Sequence, residues 1–324
     1  MTFKDGFIES RLGAIPSPFD PRALSYMRLP SLEEVEAIPD EFTGLDDFSP
    51  TNFGRSQGSI GSCVGWDWNY VYETMLTLLL MGSLDDTYLD LALQDMSAGW
   101  AYQQSRKHSI PPVPDYIEGS TNLGAVRAAE KVGLCTEASV PTDITAPFNK
   151  IVETPALFNE ALNYRVSSYH NIPNDPESIK AAIYGVLHEL PYTMPDGSPG
   201  KAPLISAFPV YDNFKDSYDD GIVPMPEGRL LGGHSSPIFG WKLIDDAPYW
   251  INFGSWGTGI ADKGVFYIPF DYPFYKNDWW LMKIAPTPDP PTPTCIWESS
   301  SWVVNVLNAL TGGDNSYYYG WEVK

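Results

Sequence analysis

The sequence predicts an α+β fold, with a helical half first, a sheet half second and a cleft between them. Two observations carry this. From Cys63 onward the apolar residues Val64, Trp68, Val71, Met75 and Leu78 recur at alternating steps of four and three, the stripe of one buried helix. After residue 200 the character changes to short β-prone runs separated by glycine, proline and aspartate. The chain has 324 residues, long enough for a sizeable core, and its apolar and charged fractions are those of a globular protein.

Each element follows in chain order. Residues 1–45 are rich in proline and acid with little periodicity, as in Ile15-Pro16-Ser17-Pro18, and read as an extended arm on the surface. After the helix that opens at Cys63, a second is expected over about 122–132, with Asn122 as cap and Gly133 as stop. Asn174-Asp175-Pro176-Glu177 announces a third, a capping residue followed by proline in the first turn. Ile179, Ile183, Val186 and Leu190 would make its inner face and Pro191 its end. The expected strands are Leu204–Val210, Ser236–Ile244, Tyr249–Phe253, Gly264–Ile268 and Trp279–Ile284. A stiff proline-rich linker, 286–294, then leads to an aromatic segment, 295–324. That segment is too short for a core of its own and is expected to dock on the main domain, 46–285, or on a partner.

The net charge of −21 repels phosphate backbones, and no run of lysine and arginine offsets it, so nucleic acid and anionic membranes are not expected partners. Three cysteines, Cys63, Cys135 and Cys295, are too few for a disulfide framework or a cysteine-rich zinc site. The start of the chain lacks a charged-then-apolar leader, and the longest apolar run, Leu76–Met81, is too short to span a bilayer. The expectation is a protein of a reducing compartment, cytoplasmic or incorporated in a particle, needing neither metal nor organic cofactor.

The chemistry concentrates in three segments. Gln57-Gly58-Ser59-Ile60-Gly61-Ser62-Cys63-Val64 places a thiol at the first turn of a helix, where the dipole favours the thiolate. Gly61 and Ser62 let the backbone approach a carbonyl, and the Cys63 amide with the Gln57 side chain can donate to an oxyanion. Taken alone, the same residues also suit a small buried cysteine opening a core helix. Gly232-Gly233-His234-Ser235-Ser236 carries an imidazole into a strand, 171 positions after Cys63. The third segment runs Tyr249-Trp250-Ile251-Asn252-Phe253-Gly254-Ser255-Trp256-Gly257.

These segments resemble the papain-like cysteine proteases, of the type without a prosegment. The family's Cys-Gly-Ser/Ala-Cys-Trp/Tyr signature is matched at Gly61-Ser62-Cys63 and departed from at Ile60 and Val64. Ser255-Trp256-Gly257 is similar to the end of the family's Asn-Ser-Trp-Gly motif, but the asparagine that would orient the imidazole aligns with Gly254. Asn252, on the same strand face, is the nearest substitute, about 6.5 Å away along the strand. Tyr116-Ile117-Glu118-Gly119-Ser120 resembles the glycine loop that meets an extended substrate, with Gly119 as the useful glycine.

The resemblance implies a two-lobed fold, a helical lobe and an antiparallel β-sheet lobe flanking the cleft. It implies a cysteine endopeptidase in which Cys63 attacks, His234 shuttles the proton and Gln57 stabilises the oxyanion. Gly61, Ser62, Gly119 and Trp256 would line the path of a peptide or protein substrate. A longer helical stretch than residues 1–45 offer would be needed for a papain-type inhibitory prosegment, so autoinhibition is not expected. The rival expectation is a weakened or inactive scaffold serving a protein assembly, such as a virion or phage tail, through the arm and the aromatic segment. A related thiol acyltransferase or amidase is a third.

Overall fold

A computed structural model describes residues 11–23, 31–44, 55–81, 95–145 and 150–284. The linker at 286–294 and the segment 295–324 lie outside these, as do residues 1–10. Six helices are described: α1 (Leu32–Glu36), α2 (Cys63–Met81), α3 (Ala98–His108), α4 (Asn122–Lys131), α5 (Pro155–Ala161) and α6 (Pro176–Ile183). The strands are β1 (Val166–Asn171), β2 (Ile205–Tyr211), β3 (Leu230–Ser235), β4 (Ile238–Ile244), β5 (Ala247–Phe253), β6 (Val265–Pro269) and β7 (Trp279–Ile284).

The helix that opens at Cys63 forms as the apolar stripe predicts, and its first four turns are buried all round. Burial on every face needs close neighbours, and Gly65 supplies one approach. A side chain there would meet the Tyr102 nitrogen at 2.7 Å and the Ala98 oxygen at 2.8 Å, so α2 and α3 cross backbone to backbone. Its polar residues are satisfied inside. Glu73 takes a 2.6 Å ion pair from Arg55 and the Met96 amide at 2.8 Å, and Asn69 donates to the Met96 carbonyl.

Two expected helices need correction in detail. The cap of α4 is Thr121, whose hydroxyl accepts from the Gly124 amide at 2.9 Å, and Asn122 is the first helical residue. Asp175 caps α6 as anticipated, but the helix ends at Ile183 and does not reach Leu190. Gly185 stops it, turning at φ +80° where a side chain would strike the Gly200 carbonyl at 2.2 Å.

The described strands pair antiparallel, in two sheets ordered β1-β7-β2-β3 and β4-β5-β6. Ser236 and Pro237 turn the chain from one sheet into the other, and a bridge between Leu204 and Ile238 joins them. β2 is buried on both faces, because it lies inside its sheet with α2 packed against it. This layering sets the N-terminus of α2 beside the end of β3.

Candidate active site

Cys63 is the first residue of α2 and is fully buried. The backbone amides of Ser235, Gly13 and Val64 lie near its sulfur and favour the thiolate. Burial nevertheless dominates and pushes the thiol up to about 11, so the expected helix-dipole gain is overridden in this state. Asp67, one turn further on, is also buried, and desolvation holds its carboxyl well above the usual range. Its Oδ2 lies 2.6 Å from the Ser235 hydroxyl, which also contacts Asn122 Oδ1 at 2.7 Å and the Ser206 carbonyl at 3.0 Å. One hydroxyl proton cannot serve three acceptors. A protonated Asp67 supplies a second donor and removes a negative charge from beside the thiol.

The imidazole arrives on β3, where His234 pairs with Phe208 of β2. The next residue, Ser235, has its amide beside the Cys63 sulfur, so β3 carries His234 past the N-terminus of α2, with no hydrogen bond between imidazole and thiol. His234 is 1% exposed and lies against Trp256, ring centroids 4.4 Å apart, with Phe208 edge-on at 5.7 Å. Neither ring nitrogen makes a hydrogen bond among the described residues. Burial, reinforced by the Arg11 charge, lowers its pKa to about 3, so the ring is neutral.

Asn252 does not orient this imidazole. Its Oδ1 accepts from the Ser236 hydroxyl at 2.7 Å, and its Nδ2 donates to the Ser236 and Pro237 carbonyls at 3.3 and 3.2 Å. The side chain is consumed in holding the corner between the two sheets. At Gly254 an added side chain would meet the Phe266 ring at 2.9 Å.

The largest departure from expectation is the chain's own N-terminal segment. Residues 11–17 are not a simple surface arm; Gly13, Ala14 and Ser17 are buried against the cleft walls, while Pro16 stays exposed. The Arg11 carbonyl accepts from Gln57 Nε2 at 2.8 Å, and the Gly13 amide faces the Cys63 sulfur. Gly13 also accepts from the Ser120 amide at 2.9 Å, Ile15 donates to the Ser120 carbonyl, and Ala14 donates to Gly233 at 3.0 Å. The walls are glycines because nothing larger fits. A side chain on Gly13 would sit 1.9 Å from the Gly61 carbonyl, one on Gly119 2.3 Å from Gly13, and one on Gly233 2.1 Å from Ala14.

The remaining predicted residues fall around this segment. Gln57 is fully buried, and its Nε2 serves both Arg11 and, at 2.6 Å, the Ile60 carbonyl, while its Oε1 accepts from Ser255. Ser62 caps the turn into α2 through its backbone, and Trp256 closes the far side over His234. Glu118, which the sequence reading passed over, reaches across the cleft to the Gly61 amide at 3.4 Å. Asp278 anchors the segment: its carboxylate accepts the Ser17 amide at 2.9 Å and the Ser17 hydroxyl. Ser17 shows no local motif that signals this, because its partner lies 261 residues away.

The architecture matches that of xylellain, a cysteine protease from Xylella fastidiosa, at a TM-score of 0.66 and 22% identity over 86% of this chain and 97% of that one. Procathepsin B S9 from Trypanosoma congolense matches at a TM-score of 0.59 and 16% identity, over 86% of this chain and 88% of that one. In sequence, the cathepsin B-like cysteine proteinase 6 of Caenorhabditis elegans is 41% identical over 253 residues, 71% of this chain and 62% of that protein. This chain has the fold of these cysteine proteases. A gut-specific cysteine proteinase of the same worm is 27% identical over 154 residues, 47% of this chain and 42% of that protein. The chain therefore spans less than two thirds of either relative's length. No family model matches it.

Proposed function

We propose that the chain is a papain-like cysteine endopeptidase, seen here with its cleft closed by residues 11–17. The observation that carries this is that the cleft already binds peptide backbone. The proposed oxyanion donor, Gln57, holds a carbonyl at 2.8 Å, and the proposed nucleophile faces an amide. A substrate taking this place would set its scissile carbonyl against Gln57 Nε2 and the Cys63 amide. Cys63 sulfur attacks the carbonyl carbon as His234 takes the thiol proton. The tetrahedral intermediate then collapses, the C–N bond breaks and His234 returns the proton to the leaving amine. Water, deprotonated by His234, hydrolyses the thioester and regenerates the thiol.

On this reading Gly254 stands where the family places its asparagine, and the pair works without an amide behind the imidazole. One observation favours the rival reading, a scaffold serving a protein assembly: the imidazole has no hydrogen-bond partner among the described residues.

The test uses the full chain carrying Gly13→Leu, whose side chain cannot fit beside Gly61. Unfolded casein should be cleaved, and Cys63→Ala or His234→Ala in the same background should abolish cleavage. No cleavage, together with equal and slow epoxide labelling of all cysteines, would overturn the peptidase in favour of the scaffold.

A further inference from the structure

His234 presents a physical problem that the family pattern does not solve here. A base must be held in one orientation, yet no acceptor holds this ring among the described residues. What surrounds it is aromatic. The imidazole lies on Trp256 at 4.4 Å, and Trp256 is met edge-on by Phe266 at 5.6 Å and by Phe214 at 5.9 Å. Phe266 in turn packs on Phe214 at 5.4 Å, is 2% exposed, and fills the space above Gly254. That packing is fixed by backbone. Phe266 is in register with Asn252 across β5 and β6, and the Gly254 amide donates to the Gly264 carbonyl at 2.9 Å.

We propose that Phe266 is a positioning residue for His234. Its ring edge lies 2.9 Å from where a side chain at Gly254 would begin, and it fixes the Trp256 plane on which the imidazole lies. Orientation is thus supplied by ring packing instead of a hydrogen bond. The exchange is mutual: a side chain at 254 would need Phe266 to move, since even a Cβ falls 2.9 Å from its ring edge. The resting pair is a neutral thiol and a neutral imidazole, because both groups are buried. The inference rests on His234 being the base, as proposed above.

The test compares full-length chains, all carrying Gly13→Leu to open the cleft, with Phe266→Leu, which keeps apolar bulk and loses the ring, and with Phe266→Ala combined with Gly254→Asn, which returns an amide. Iodoacetamide alkylation of Cys63 against pH and nitrogen NMR of labelled His234 both report without any peptide being cleaved. Phe266→Leu should broaden the His234 resonances and slow alkylation about tenfold, the scale of one lost orienting contact. Where casein cleavage is measurable, the loss should fall on kcat with KM unchanged. The double variant should recover the rate and move the onset of alkylation to lower pH, as imidazolium gains an acceptor. A Phe266→Leu chain with lowered Tm but unchanged His234 resonances and alkylation profile would overturn the proposal, leaving Phe266 a plain core residue. Absent cleavage with these spectroscopic changes present would instead count against the peptidase reading alone.

Discussion

At the scale of single residues, the site is governed by desolvation. Cys63 and His234 are both neutral in the closed state because each is cut off from water, and the acidity of each is shifted away from a thiolate–imidazolium pair. This has a consequence for stability. The native His234 refuses a proton down to about pH 3, whereas the unfolded chain accepts one near its ordinary 6.5. Its contribution is therefore present above pH 6.5 and is lost as pH falls toward 3. Between pH 7 and pH 5 that loss is about 2 kcal/mol. Asp278, raised to about 6, and Glu73, raised to about 7, act with the opposite sign over the same range, so the wild-type profile alone does not isolate the imidazole. His234→Gln should remove this one acid-sensitive contribution. The difference in Tm between wild type and variant, measured at pH 7 and again at pH 5, should shift against the wild type; an unchanged difference would contradict the buried neutral ring.

At the scale of elements, what the sequence discloses depends on whether an element is read through apolar periodicity. α2 was legible because a helix buried all round still carries a stripe of large apolar side chains. α3 was not, since its buried positions include Ala98, Gly99, Gln104 and Ser105, small or polar residues that leave no stripe. Ser31 and Glu34 form a reciprocal capping box at α1, a signal present in the sequence and overlooked within the acidic arm. β3 was hidden for a related reason: Gly232 and Gly233 have no β propensity, and they are there because Leu12 and Ala14 pass so close. The α2–α3 crossing yields a direct prediction. Gly65→Ala should destabilise the fold by about 1–3 kcal/mol through overpacking, seen as a lower denaturant midpoint with an unchanged slope. A variant as stable as wild type would mean that the helices can slide apart at no cost.

At the scale of the whole molecule, residues 11–17 tie together parts of the chain far apart in sequence. The sequence nominates Cys63, His234, Gln57, Gly61 and Gly119 as site residues because each sits in a local motif. It could not place residues 11–17, whose position is set by backbone pairing with residues more than a hundred positions away. Ser17 is the anchor, held by Asp278 and receiving the Leu123 amide at 3.0 Å. Ser17→Ala removes the hydroxyl from both contacts and should speed hydrogen exchange of the Ala14 and Ile15 amides about tenfold or more. Unchanged protection would show that pairing with Gly233 and Ser120 suffices by itself.

The central claim is that the thiol sits in a peptide-binding cleft that residues 11–17 themselves fill. Its most direct measurement is the rate of Cys63 alkylation by iodoacetamide at pH 7, mapped by mass spectrometry in wild type and in Gly13→Leu. The account predicts a sluggish wild type and a variant at least about tenfold faster at Cys63, with Cys135 unaffected in both. Equal rates at Cys63 in the two chains would contradict it.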